Sequence, residues 1–234
     1  MIVGQTLVDC VSGIGSMATR HVLTDLAAIY GQRAGQHVSI ESVGGVDAER
    51  RVRDGEAFDF VVLAARTMED LTDAGLIDRA TSVEIARSSM AIARPKGSPR
   101  VDLTTERGVR DALGRARSIA YSTGPSGRHV LQLLQRWGLA DRGTPHLVEA
   151  PPGVSVGSLV ARGDAEIGFQ QLPELIHVPG IDVVAALPEE VQLVTVFTGG
   201  VCASSRHHQA TRAWLSFCAS AEANATKPHH GMQP

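Results

Sequence analysis

Aromatic residues are scarce in this chain, at 4% of 234 residues, and the formal net charge is only −3, with acidic and basic residues interleaved. The chain therefore has neither a basic footprint for nucleic acid nor the rings for a base-stacking platform. Its three cysteines, Cys10, Cys202 and Cys218, form no C-x-x-C pair and no zinc spacing. They are expected as free thiols, with Cys10 and Cys202 behaving as small buried hydrophobes inside apolar runs. No run of 18 apolar residues occurs, so no membrane span is expected. A charged segment followed by an apolar one is missing at the N-terminus. As it stands the sequence reads as cytoplasmic, and as periplasmic if a leader was removed. G-x-S-x-G, G-x-x-x-x-G-K-[ST] and H-E-x-x-H are all absent, and the pairs His207-His208 and His229-His230 are adjacent rather than at helical spacing. Neither a metal nor a cofactor is expected on these grounds. There is no low-complexity linker and no short-period repeat.

What is present is a strand–loop–helix pattern that recurs along the whole chain, which predicts an α/β fold. Its clearest instance is 117–139, with a buried strand at Ser118–Tyr121, a loop of small residues at Ser122–Gly127, and a helix from about Arg128 to Trp137. A Ser/Thr/Gly loop between a strand end and a helix start presents backbone N–H groups and hydroxyls beside the positive end of the helix dipole. That arrangement suits a carboxylate or a tetrahedral oxyanion. The competing structural reading makes Ser126 a helix cap and Gly124 a turn residue.

The same device recurs earlier. A strand at Gln5–Val11 is followed by Ser12-Gly13-Ile14-Gly15-Ser16 and a helix to about Arg33. Val38–Glu41 is followed by Ser42-Val43-Gly44-Gly45, and Phe58–Leu63 by Ala64-Ala65-Arg66. In open α/β sheets ligands bind at the carboxyl ends of the strands. The spacing Gly13-x-Gly15-x-x-Ala18, with Glu41 at the end of the next strand, also matches a dinucleotide-binding fingerprint, so an NAD-binding enzyme stands as a minor alternative. Arg66 and Arg87 can each clamp a carboxylate, or else form surface ion pairs.

Five segments carry a family resemblance: Phe58–Leu63 (FDFVVL), Ile85–Ser88 (IARS), Ser118–Ser122 (SIAYS), Val160–Gln171 (VARGDAEIGFQQ) and the closing Gly231–Pro234 (GMQP). Through them the chain resembles the type II periplasmic-binding-protein fold, in its molybdate-binding-protein-like (family 1 extracellular solute-binding) group. The same group also resembles aconitate isomerase. The resemblance implies two α/β lobes joined by two crossover strands, with the ligand cleft between the lobes. Lobe one would comprise 1–86 and 197–234, and lobe two 87–196. It places ligand contacts at Ser12, Gly13, Ser42, Gly44, Gly45, Ala65, Arg87, Ser88, Ser126, Gly127, Val154, Gln170 and Gln171. Where molybdate-binding relatives use a Tyr, this chain has Gln170-Gln171, which leans toward an organic anion.

The function implied is binding of a small anion, a di- or tricarboxylate or an oxyanion, as a solute-binding protein served by an ABC importer if exported. The alternative is a cofactor-independent isomerase that shifts a double bond in an unsaturated di- or tricarboxylate by proton transfer. Tyr121, Glu41 and His21 are proton-carrier candidates by closeness to these loops alone.

Overall fold

The computed structural model describes residues 10–140 and 145–234. The expected strand over Gln5–Val11 lies, for 5–9, outside the described residues. The elements are β1 (Val11–Ser16), α1 (Arg20–Ala34), β2 (Val38–Val43), α2 (Gly45–Arg53), β3 (Phe60–Ala64), α3 (Ala65–Asp73), β4 (Val83–Pro95), α4 (Glu106–Arg115), β5 (Ser118–Tyr121), α5 (Pro125–Arg136) and β6 (His146–Glu149). They continue with α6 (Val156–Arg162), β7 (Ile167–Gln171), β8 (Ile181–Val184), β9 (Val194–Val201), α7 (His208–Cys218), α8 (Ala221–Asn224) and β10 (Met232–Gln233). The chain divides into two compact units, one of residues 1–86, 196–229 and 234, the other of 87–195 and 230–233. The chain passes from the first unit to the second inside β4 and returns inside β9.

In the first unit β2, β1 and β3 run parallel, and β9 lies antiparallel to β3. β3 is buried along Phe60–Leu63, as a strand covered on both faces must be. On one face Ile14, Val61 and Leu63 pack with Val52 of α2 and with Met68 and Leu71 of α3. The other face is aromatic: Trp214 of α7 packs against Phe60 at 6.0 Å between ring centroids and against Tyr30 of α1 at 5.4 Å. Tyr30, Phe60, Trp214 and Phe217 thus gather where two helices are held to one sheet.

β1 corrects an expectation. Ser12, Gly13 and Gly15 form no loop after a strand; they are the strand, paired with Ser39, Ile40 and Ser42 of β2. Their small size serves close packing, since a Cβ on Gly13 would lie 2.4 Å from the Phe60 ring. A dinucleotide fingerprint needs its first glycines in the turn between strand and helix. Here Gly13 and Gly15 lie inside β1, so that turn is not formed by them.

In the second unit β6, β5 and β7 run parallel, and β4 pairs antiparallel with both β7 and β8. β10 pairs with the start of this part of β4, Met232 opposite Ser88 and Gln233 opposite Arg87. One face packs Met90, Ile92, Ile119 and Phe169 under α4 and α5 through Val109, Leu113, Val130 and Leu134. The opposite face is built of Ala91, Ala93 and Ala120 and brings α6 close through Val156, Leu159 and Val160. Gly168 permits that approach, because a Cβ there would meet a Val156 methyl at 2.5 Å.

Candidate functional site

Each unit has one sheet edge where parallel strands end together and helices begin. In the first unit the register sets Ser16 beside Val43 and Gly15 beside Val62, which brings the ends of β1, β2 and β3 to one edge. Ser16 closes β1, and its Oγ accepts from the Ala18 N–H at 3.3 Å, starting a short 3-10 turn before α1. Gly44 and Ala64 precede α2 and α3 and have no side-chain acceptor for the first helical N–H groups. These donors, with the helix dipoles, offer hydrogen bonds to an anion from backbone alone.

Of the residues expected to bind ligand in this unit, Gly44, Gly45 and Ala65 lie at this edge, and Ser42 is the penultimate residue of β2. Ser12 and Gly13 do not, because they fall in the first half of β1. The Ser12 N–H and hydroxyl both donate to Asp59 Oδ2, at 2.9 and 3.3 Å, while Ser205 donates to Oδ1 at 2.7 Å. The buried Asp59 carboxylate thus ties β1 to the segments before β3 and after β9, and the Ser12 hydroxyl is spent on that tie. Ser16 takes its place at the edge. Sequence reading missed it because a strand displaced by several residues moves every strand end with it.

In the second unit β5 ends at Tyr121, opposite Glu149 of β6 and Phe169 of β7. α5 begins three residues earlier than expected, at Pro125, with Gly124 preceding it and no side-chain cap. Ser126 and Gly127 therefore occupy its first turn and not a loop, since a proline at the first helical position is already set for the helix. Ser126 is buried, with its hydroxyl 3.2 Å from that of Ser122. Gly127 is dictated by close approach, as a Cβ would come within 1.6 Å of the Ser122 carbonyl oxygen. Val154 is half-buried in the loop before α6, whose N-terminus is capped by Ser155 accepting from Ser158 N at 3.0 Å.

Gln170 and Gln171, which close β7, are both buried. Gln170 Oε1 accepts from the Val156 N–H at 2.9 Å, and its Nε2 donates to Glu174 Oε1 at 2.7 Å. Gln171 Nε2 donates to Thr195 Oγ1 at 2.8 Å. Burial pushes the Glu174 carboxyl up to about 7, against the downward pull of the Gln170 side chain and the Gln171 N–H. The partners of these amides, Glu174 and Thr195, were not legible in the sequence. Glu174 follows Gln170 by four positions, a spacing that signals contact only within a helical turn. Thr195 reaches Gln171 from across the sequence.

Arg87 is exposed in β4 and Ser88 beside it is buried. Arg66 pairs with Glu69 and Asp70 one turn along α3, as a surface residue does. The three proton-carrier candidates fare poorly. Glu41 is exposed and bonded to the Arg51 guanidinium at 2.6 and 2.8 Å, which holds its carboxyl below the ordinary value. Burial, with Glu149 adding to it, pushes the Tyr121 hydroxyl up. His21 is exposed on α1. Cys10 is exposed rather than buried, with Sγ 3.0 Å from His37 Nδ1. Cys202 and Cys218 are buried free thiols, and burial pushes Cys202 up to about 12. Among the described residues no cluster of three or more His, Cys, Asp or Glu is placed to hold a metal, and no helix is long and apolar enough to cross a membrane.

The family described as bacterial extracellular solute-binding protein matches residues 12–233. An aconitate isomerase from Pseudomonas sp is 32% identical over 184 residues, covering 79% of this chain and 70% of that protein. The molybdate-binding protein of Escherichia coli (strain K12) is 23% identical over 201 residues, covering 81% and 76%. Among solved structures, the periplasmic molybdate-binding protein of Azotobacter vinelandii superposes with a TM-score of 0.79 at 21% identity, covering 96% of this chain and 99% of that one.

Proposed function

The chain belongs to the bacterial extracellular solute-binding protein family, and on that premise we propose that it binds a small anion, an organic di- or tricarboxylate or an oxyanion, at these strand ends. The observations that carry the reading are the uncapped helix starts at the strand-end edge of each unit, at Gly44 and Ala64 in the first and at Gly124 in the second, where the buried amides of Gln170 and Gln171 also lie. Together they provide fixed donors for negative charge and polar side chains for orientation. The identity of the anion, a place outside the cytoplasmic membrane and delivery to an ABC importer are parts of this proposal.

The test is calorimetry with molybdate, sulfate and a panel of di- and tricarboxylates. The expected result is one anion bound per chain. Arg87→Ala should lower affinity by about 1.5–3 kcal/mol if its guanidinium meets a carboxylate. Unchanged affinity would remove Arg87 from the site. Silence toward the whole panel would remove the proposal.

The aconitate isomerase relative and one local observation support a second reading. Glu174, raised to about 7, can exist in both protonation states near neutrality, as a group that takes and returns a proton must. In this reading the protein shifts the double bond of an unsaturated tricarboxylate without a cofactor. Proton NMR of cis- and trans-aconitate with substoichiometric protein decides between the two. Interconversion establishes catalysis, and tight binding without turnover leaves the receptor.

A further inference from the structure

The two glutamines that end β7 differ in one respect that bears on the ligand. Both ends of the Gln170 amide are in use, one on Val156 N and the other on Glu174. Gln171 is 3% exposed, with Nε2 held by the Thr195 hydroxyl, and its Oε1 is buried with no partner. Turning the amide over would not remove the remainder. The Thr195 hydroxyl can donate to an amide oxygen as readily as it accepts from an amide N–H, and the NH2 group would then be the unpaired end. A buried amide that is half-paired in either orientation is costly, and most buried polar groups are not left so.

Its place in the fold suggests what completes it. Gln171 pairs with Met90 in β4, and Tyr121, the last residue of β5, pairs with Phe169. Gln171 therefore stands two residues beyond the end of β5, at the carboxyl edge of the parallel strands where open α/β sheets take their ligands.

We propose that Gln171, held by Thr195, selects a ligand that brings a hydroxyl group: an organic di- or tricarboxylate carrying an alcohol, whose O–H donates to Gln171 Oε1. This deepens the anion-binding reading and rests on it. A fully deprotonated tetrahedral oxyanion has only acceptors to offer, so its oxygens would face the lone pairs of Oε1. Such an anion requires the turned amide. A hydroxyl both donates and accepts, so a hydroxy acid completes the amide in either orientation.

The test uses matched pairs of acids that differ by one hydroxyl, malate with succinate and citrate with tricarballylate, together with molybdate, each titrated calorimetrically into the full chain. In the better-bound pair the hydroxylated member should bind roughly tenfold tighter, the difference expected when a buried acceptor gains its donor. Gln171→Met keeps the volume and removes the acceptor, and should bring the pair to within about twofold. The wild-type comparison stands on its own should the variant not fold. Equal binding within both pairs, a preference that survives Gln171→Met, or molybdate binding more tightly than every acid would each overturn the hydroxyl selector while leaving anion binding intact. If none of the five solutes binds, the anion-binding reading falls, and the selector with it.

Discussion

The two strand-end edges are built of different materials. The edge of the first unit is nearly bare of side chains: Gly44, Gly45, Ala64 and Ala65 surround uncapped N–H groups, and the Ser16 hydroxyl bonds its own turn. The edge of the second unit carries three side-chain pairs instead: Ser122 with Ser126, Gln170 with Glu174, and Gln171 with Thr195. Backbone donors are fixed in place and indifferent to what the anion is. Amides and hydroxyls can choose, because they present donor or acceptor according to orientation. On the proposed function, then, the uncapped backbone donors give general affinity for negative charge, and the amides and hydroxyls give discrimination.

Glycine substitution gives the largest contrast between them. Gly127→Ala forces a Cβ to within 1.6 Å of the Ser122 carbonyl oxygen, and backbone cannot retreat as a flexible side chain can. A loss of about 3 kcal/mol or more is expected in the unfolding free energy from urea denaturation. A loss below roughly 1 kcal/mol would show that the start of α5 is far more pliant than a packed turn.

A pH dependence of stability comes next. The Glu174 carboxyl rises from its ordinary 4.5 to about 7 in the folded chain. Between those values the unfolded chain has lost the proton while the folded chain keeps it, so stability falls as pH increases. The contribution is fully present below 4.5 and gone once pH has passed about 7. A loss on the order of 2 kcal/mol is expected, less than the whole shift implies because the side chain is only half-buried. Urea midpoints at pH 5 and pH 8 measure it. Glu174→Gln should flatten that profile, and an unaltered slope in the variant would assign the titration to another group.

The smallest effect on stability bears most directly on the first edge. Gly44 has no atom within 4 Å of where a Cβ would stand, and its φ of −58° and ψ of 139° suit any residue. Gly44→Ser should supply the cap that α2 lacks and add a few tenths of a kcal/mol to stability. It should also weaken anion binding by roughly threefold, since the new hydroxyl takes up an N–H meant for the ligand. A variant that gains stability with unchanged affinity would show that the α2 donors do not touch the anion.

Much of the fold was legible because burial writes itself into sequence. FDFVVL at 58–63 reads as a strand covered on both faces, and its Phe60–Leu63 portion is buried within β3. The alternation of such runs with amphipathic helices was enough for an α/β chain with a family resemblance. The site was legible only where chain connectivity decides it. Gly44-Gly45 directly follow β2, and Ala64-Ala65 straddle the end of β3 and the start of α3. Ser12 and Gly13 were misplaced because small residues serve turns and close packing equally well. Only the Phe60 ring above Gly13 and the Asp59 carboxylate beside Ser12 show which use applies.

What the sequence determined by itself is what local rules govern: the order of strands and helices, the apolar faces, the small residues at strand ends, and the absence of motifs for other chemistry. What the tertiary structure decided is which hydrogen-bonding groups remain over. Glu174 is an ordinary acidic residue in sequence, and in the fold partial burial beside Gln170 raises its carboxyl to about 7. Gln170 and Gln171 are the same residue type, yet one has both ends of its amide bonded and the other keeps a buried oxygen without a partner. The physical reason is that saturation of a polar group depends on neighbours brought from far along the chain, Val156 in one case and Thr195 in the other.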